Sequence, residues 1–453
     1  MSDSIQGRGF DRRRFLQLAG GTALATGVGA WAGGWLAPEE ARSATGPADL
    51  YLGGTDGWMY LPPTPEIPPF HPDVLAPDPF TTYIFGFRNL TGLDQTQRLA
   101  QKNKAQHSAP LFWVPQYDPA VPRDFTVTLT NLGLALRPDL FDAHTLHWHG
   151  FRNVIPFFDG EPTGSVSVPA GREFTYVYRP RDPGTYMYHC HVEDVEHVHM
   201  GMTGMVFVRP LQDGNTTLYP SGQYLYNDGD GSTGFDREFS MFLSEVWAEA
   251  HWADAHIQLP EWTDYRPDFS LLNGRVYPDT IAPNGSVDPF HPERAGDGDL
   301  VAPVRRDPVT NEVVETFPHL QYQPISSLVN CNAGERVALR FANLGFREAA
   351  MTTTGLPMKV VGRDATPMRG RTGADTSYTT ETLNIGPGES YDVIVTAPPH
   401  SGSDPFDTYL LYNRSYTRSA NLASGGYGGQ TTEIRVYPPG SVGAQAYPND
   451  WGI

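Results

Sequence analysis

Phe125-Thr-Val-Thr-Leu-Thr-Asn-Leu-Gly133 returns later in the chain as Val337-Ala-Leu-Arg-Phe-Ala-Asn-Leu-Gly345. Both stretches alternate large apolar side chains with smaller or polar ones and close on the same Asn-Leu-Gly turn, the pattern of a half-buried strand. Two more matches follow in the same order. Gly171-x-x-Phe174-x-Tyr176-x-Tyr178 matches Gly388-x-x-Tyr391-x-Val393-x-Val395, and Thr185-Tyr186-Met187-Tyr188 matches Thr408-Tyr409-Leu410-Leu411. The offset grows from 212 to 217 to 223, as small loop insertions in a duplicated unit require. The chain therefore reads as all-β: two Greek-key β-sandwich domains at residues 46–213 and 236–440, joined by a linker at 214–235 and followed by a tail at 441–453. Within the linker, Asn227-Asp-Gly-Asp-Gly-Ser232 is turn chemistry that lacks the spaced ligands and closing Glu of a calcium loop. The stretch from Glu245 to His256 is the best helix candidate, and residues 279–320 form a long insertion with no assigned element.

Composition agrees with this architecture. Of 453 residues, 47 are Gly and 41 Pro, aromatics reach 12% and charged residues only 18%, which suits short strands and many turns. The formal net charge of −19 argues against nucleic acid or an anionic membrane surface as a partner, and favours cationic or neutral ones. Only two cysteines occur, Cys190 and Cys331, so a disulfide scaffold is excluded.

The first 45 residues read as an address. Asp11-Arg12-Arg13-Arg14-Phe15-Leu16 opens an uncharged, Gly-interrupted apolar run from Phe15 to Ala37, which looks like a twin-arginine export signal. The run is long enough to span a bilayer, so a retained anchor is the alternative, but its glycines favour a cleaved signal. The rest of the protein is expected to be exported to the periplasm, the cell surface or the medium, with no membrane association once the signal is removed.

Histidine placement carries the functional signal. Seven of the fourteen histidines fall between His144 and His199, a window of 56 residues in which an even spread would put fewer than two. They lie in His144-Thr-Leu-His147-Trp-His149-Gly150 and in His189-Cys190-His191, followed by His197, His199 and Met202. In a strand, successive side chains point to opposite faces. His189 and His191 then share one face and Cys190 takes the other; His147 and His149 share a face, with His144 opposite. Two sites result. His144, Cys190, His197 and Met202 offer two imidazoles, a thiolate and a thioether, the donor set of a blue-copper centre. His199 competes with His197 for this set, and the four-residue gap between His197 and Met202 is the commoner spacing. His147, His149, His189 and His191 offer four imidazoles, suited to copper or zinc with room for an oxygen ligand. Because Cys190 is bonded to both His189 and His191, the two sites are linked through one short stretch of backbone.

On these motifs the chain resembles the multicopper oxidases, specifically the two-domain, laccase-like members built from cupredoxin sandwiches. The resemblance implies type 1 copper at His144, Cys190, His197 and Met202, and type 2 and type 3-like copper at His147, His149, His189 and His191. It further implies an electron donor, either a small molecule or a metal ion, and dioxygen as the acceptor. Two acids are candidates for delivering protons: Asp159, in Phe158-Asp159-Gly160, matches an acidic residue near the cluster in similar enzymes, and Glu193, three residues after Cys190, sits where laccase-like motifs often carry a carboxylate. The departure from the family pattern lies in the second domain. Its repeat places Thr352-Thr-Thr-Gly355 opposite His147-Trp-His149-Gly150, and Tyr412-Asn-Arg414 opposite His189-Cys-His191, so the ligands are gone. A complete eight-histidine cluster would need donors from a partner chain, another domain, or residues such as His251 and His256. A homo-oligomer is expected, with a trimer as one form. Two other readings stay open: a copper nitrite reductase, which borrows a histidine from a neighbour's second domain, and a non-catalytic copper-binding electron-transfer protein. If Cys190 binds copper, both cysteines must be reduced, with Cys331 a small core or loop residue.

Overall fold

The computed structural model describes residues 47–62, 72–285, 302–307, 309–421 and 427–449; residues 1–45, expected to be an export signal, lie outside them. Their strands form two sandwiches in sequence order. In the first, β1 (Leu50–Tyr60), β2 (Thr81–Asn89), β4 (Phe125–Gly133) and β6 (Glu173–Tyr178) make one sheet in the order β2-β1-β4-β6. β3 (Phe112–Pro115), β5 (His147–His149), β7 (Gly184–His189) and β8 (Thr203–Arg209) make the other, in the order β3-β8-β7-β5. Each sheet pairs strands that are not consecutive, β1 with β4 and β4 with β6 in one, β3 with β8 and β5 with β7 in the other, the crossover pattern of a Greek-key sandwich.

The second sandwich repeats this plan. β9 (Arg237–Val246), β10 (Phe269–Leu272), β14 (Arg336–Asn343), β16 (Met358–Arg363), β17 (Thr366–Pro367), β18 (Tyr378–Thr380) and β20 (Ser390–Thr396) form one sheet. β13 (Val329–Asn332), β15 (Ala349–Thr353), β19 (Thr382–Ile385), β21 (Asp407–Asn413) and β22 (Thr431–Tyr437) form the other. An exposed hairpin of β11 (Val304–Arg306) and β12 (Val313–Thr316) occupies part of the insertion. The repeat extends to register. Phe125 of β4 pairs with Tyr178 of β6, and their matches Val337 and Val395 pair in β14 and β20. Likewise β4 runs parallel to β1 as β14 does to β9, and β8 parallel to β3 as β22 does to β13.

Each sandwich closes on its own buried core. Leu52, Phe85, Leu129, Trp148, Tyr178 and Cys190 belong to the first, and Phe239, Leu339, Phe341, Val393, Leu411 and Cys331 to the second. The two meet through the outer face of β7 and β8, where Met187, Met205 and Phe207 pack on Phe242 and Ala342. Every residue of β7 is consequently buried: Tyr186 and Tyr188 face the first core and Met187 faces the second sandwich.

Three expectations change in detail. Within Glu245–His256 only Ala248–Ala255 is helical, because Glu245 and Val246 are held in β9, and His256 caps the helix end. The linker segment 214–235 is packed, with Leu225, Tyr226 and Phe235 buried against Ala338, Val361 and Ile394. Its Asp228 carboxylate accepts from Gly231, Thr233 and Gln212 and so closes a turn. The tail is anchored as well: Asn449 is buried, accepts from Ser240 N at 2.9 Å and donates to Ser326 O at 2.9 Å.

Candidate metal centre

β5 pairs with β7 so that His147 stands opposite His189, Trp148 opposite Tyr188 and His149 opposite Met187. Trp148 turns inward and stacks on Tyr178, with ring centroids 4.1 Å apart. Pleating therefore sends His147, His149 and His189 to the outer face, toward the second sandwich, while Cys190 enters the first core. The single alternation of a strand thus separates the two donor sets.

Inside the core, donor atoms of His144, Cys190 and His197 lie within 4.8 Å of one another, and all three residues are buried. Cys190 Sγ is 3.3 Å from His197 Nδ1 and accepts from Thr145 N at 3.4 Å. Burial alone would raise the Cys190 thiol pKa, but the His197 charge and the approach of the His144 and His197 imidazoles hold it well below its ordinary value. His197 responds in kind: burial would lower it, and the Cys190 thiolate with Asp142 pushes it up to about 10. His144 Nδ1 is buried with no hydrogen-bond partner. A thiolate, an imidazolium proton and an unpaired buried nitrogen in one place are a donor set whose proton a metal cation would replace. Met202 is buried here too: its carbonyl accepts from Cys190 N at 3.1 Å and its N–H donates to His197 O at 2.9 Å.

His199 does not join this site. Two residues beyond His197 on a short helix, it points the other way and accepts from Trp247 N at 3.0 Å. His197 is therefore the imidazole that reaches the sulfur. Two neighbours were not legible in the sequence. Asp142 Oδ2 lies 3.6 Å from His197 Nε2, on the side of the ring away from sulfur. Gly54, in the middle of β1, touches the site: a Cβ there would stand 2.7 Å from His144 Cδ2 and 3.2 Å from Met202 Cε. Gly54→Ala is expected to displace His144 and weaken metal retention by about 1–3 kcal/mol, the usual cost of overpacking, measurable by chelator competition.

On the outer face, His147 Nδ1 donates to Asp159 O at 2.7 Å and His189 Nδ1 to Cys190 O at 2.8 Å. Each bond fixes the tautomer and leaves the Nε2 lone pair free. His149 Nδ1 is 3.4 Å from His189 Nε2, and the ring of His191 centres 5.0 Å from that of His147. Burial lowers the pKa of His147, His149 and His189, the last to about 3, so these rings stay neutral. Converging neutral lone pairs repel one another unless a cation lies between them, which fits a metal. The second sandwich covers this face at Gly388, whose φ is +81° and where a Cβ would lie 2.9 Å from His149 Nε2.

The two proposed acids separate. The Asp159 carboxylate is 3.5 Å from His147 Nδ1, beside the four-imidazole site, and Glu161 acts on His147 and His191 from the same loop. Glu193 instead groups with Asp142 and His197 on the sulfur side, because the chain turns left-handed at Glu193 (φ +46°) to start the helix. Its placement takes it away from the imidazoles it was expected to serve. His251 and His256 are also corrected as cluster donors. His251 is buried with Nδ1 donating to Tyr83 O at 2.6 Å, and His256 pairs with Asp73 at 2.8 Å. In the second sandwich, Thr352 pairs with Tyr412 at the register where the first pairs His147 with His189, so the imidazoles are replaced at topologically equivalent positions. Both cysteines are free. Cys331 is buried, its thiol pushed up to about 12 by burial and by Glu335, with Arg237 opposing them only in part.

Known proteins agree with this layout. One multicopper oxidase family model matches residues 130–213 and a second matches residues 247–437, together more than half of the chain. Laccase-like multicopper oxidase 1 of Thermothelomyces thermophilus is 42% identical over 52 residues, which span 11% of this chain and only 8% of that protein. The blue copper oxidase of Nitrosomonas europaea superposes over 85% of both chains at a TM-score of 0.52 and 20% identity. The multicopper oxidase mgLAC superposes over 88% of this chain and 87% of its own at 0.54 and 20% identity. A copper nitrite reductase from Nitrosomonas europaea, at 0.51 and 14% identity over 89% and 96%, shares the same pair of cupredoxin sandwiches, so these likenesses speak to fold alone. With two family models matched, and with donor sets suited to copper inside the first matched region, the chain belongs to the multicopper oxidase family.

Proposed function

We propose that the protein is an exported copper oxidoreductase that takes electrons from a reducing small molecule or metal ion and passes them to dioxygen. The observation that carries this reading is Cys190, which contributes its sulfur to one donor set while its two covalent neighbours, His189 and His191, belong to the other. Copper bound at the two sets supplies one-electron uptake at the sulfur and multi-electron reduction of dioxygen at the imidazoles. Every other part falls to the protein. Thr145 N–H steadies the sulfur, Asp142 faces the far nitrogen of His197, and the first core excludes water from both. On the outer face, the Asp159 carboxylate, 3.5 Å from His147 Nδ1, stands beside the imidazole set as the proposed source of protons, since oxygen reduction requires four protons per molecule. The acidic surface suits a cationic or neutral donor.

Copper per chain, assembly size and oxygen uptake with phenolic and ferrous donors together test this function. Blue protein that consumes oxygen and carries more than one copper per chain is the expected result. One copper per monomer with a blue band and no oxygen turnover would instead mark an electron-transfer protein, and nitrite turnover with a reduced mediator would mark a nitrite reductase. Additional cluster donors supplied by a neighbouring copy in a homo-oligomer, with a trimer as one form, would register as copper content that rises with assembly. Export by the twin-arginine route is proposed from Arg12 and Arg13. Changing both to Lys is expected to leave the protein in the cytoplasm, read by cell fractionation, and continued export of that variant would overturn the assignment.

A further inference from the structure

The second sandwich has no donors at the positions equivalent to the copper motifs, yet it holds the segment that carries His197. That segment is the helix Asp194–Met200, only seven residues long, with left-handed residues on both sides (Glu193 φ +46°, Gly201 φ +116°) and no side-chain cap at its start. Its orientation is set from two directions. On one side His197 faces Cys190 and packs edge-on against Phe85, ring centroids 5.5 Å apart. On the other, the buried His199 ring enters a cage of the half-buried Trp262, Tyr265 and Phe346 and the buried His251, with ring centroids 5.4, 5.3, 5.6 and 5.0 Å away. There its Nε2 accepts from the backbone N–H of Trp247 at 3.0 Å. Trp247 is the residue between β9 and the helix Ala248–Ala255, and that helix is tied back to β2 by the His251 bond to Tyr83 O.

We propose that His199 is a positioning residue for the sulfur site: through the Trp247 hydrogen bond and the aromatic cage, the second sandwich sets the placement of His197 and of Met202. The inference rests on His197 being a copper ligand. The connection is short, since Met202 N donates to the carbonyl of His197, and Gly201 N also approaches that carbonyl at the helix end. A ring that accepts at Nε2 carries its proton on Nδ1 and has no lone pair left for copper. A second sandwich without donors thereby keeps a role in the chemistry of the first.

The test compares full-length His199→Phe, which keeps an aromatic ring and loses the acceptor, with His199→Gln, whose carbonyl oxygen can take the Trp247 bond. The readouts are the blue absorption band, its electron paramagnetic resonance, the reduction potential and copper retention against a chelator. His199→Phe is expected to shift the spectrum and potential and to loosen copper by about 10–100-fold, as loss of an outer partner of a metal ligand does, with His199→Gln restoring most of it. A Phe variant with lower melting temperature but unchanged spectrum, potential and retention would overturn the proposal, as would a Gln variant no better than Phe. Should His199→Phe not fold, Phe346→Leu decides. It trims the cage and keeps the acceptor, so a smaller shift in the same readouts supports the proposal and none overturns it. A wild-type protein with no blue band would refute the copper reading of His197 itself, a separate outcome.

Discussion

Cys190→Ser is expected to abolish the blue absorption band and to lower oxygen-linked turnover of a reducing donor by more than about 100-fold, while the four-imidazole site still binds copper. The magnitude follows from position. Outer partners of a metal ligand are already worth about 10–100-fold, and Cys190 is both a direct donor and the covalent bridge between the two sets. Serine conserves size in a core position that tolerates no bulk, so folding should survive. It supplies no thiolate, however, and no soft donor for copper. Absorption spectroscopy, copper content and oxygen uptake on one preparation separate the outcomes. A Ser variant that stays blue, or that turns over at the wild-type rate, would show that electrons enter without the Cys190 sulfur.

The second large effect concerns the junction between the sandwiches. Arg340 of β14 is fully buried; its Nε donates to Glu238 Oε2 at 2.8 Å, its Nη1 to Thr185 Oγ1 of β7 at 3.2 Å, and the guanidinium lies 3.5 Å from Asp392. The same guanidinium packs over Phe207 of β8 at 4.5 Å. Arg340→Met keeps the length and apolar contact but leaves Glu238 with Arg209 alone and weakens the neutralisation of Asp392. Breaking one side of such a buried ion network costs about 3–5 kcal/mol, so a loss of that size is expected in denaturant melts at neutral pH. The pH dependence has a definite sign. Burial would raise the pKa of Glu238, but Arg209 and Arg340 hold it below its ordinary value. A depressed carboxylate contributes stability that is present above the unfolded pKa, about 4.3, and is lost as pH falls through the folded one. The deficit of Arg340→Met should therefore be largest near neutrality and shrink as the medium is acidified below that range. A deficit that grows in acid, or one below about 1 kcal/mol at neutral pH, would contradict this account. Because β7 carries His189, the same variant is also expected to disturb the imidazole site.

Much of the molecule was legible in the sequence because two of its rules are local. Strand alternation acts between adjacent residues, so the parity of Tyr186 to His191 was enough to place Cys190 on one face and His189 and His191 on the other. Repetition acts by register, so matching Phe125–Gly133 to Val337–Gly345 also located Thr352 and Tyr412 opposite the histidines, and the paired strands carry that equivalence through. What the sequence could not settle depends on contacts between residues far apart in the chain. His197 and His199 have similar spacing to Met202. The choice falls to the backbone N–H of Trp247, which occupies one of them, and to the sulfur of Cys190, which meets the other. Asp142 and Gly54 gain their roles only from packing against His197 and His144, and no motif marks them. Glu193 leaves the imidazoles because a left-handed turn carries it to the sulfur side. His251, offered as a possible cluster donor, is held by Tyr83. Sequence alone thus located the candidate donors and their division between two faces, since pleating is a property of the strand itself. Tertiary structure decided which candidates reach those donors and what the ligand-poor sandwich does, since distance across the fold is set by packing.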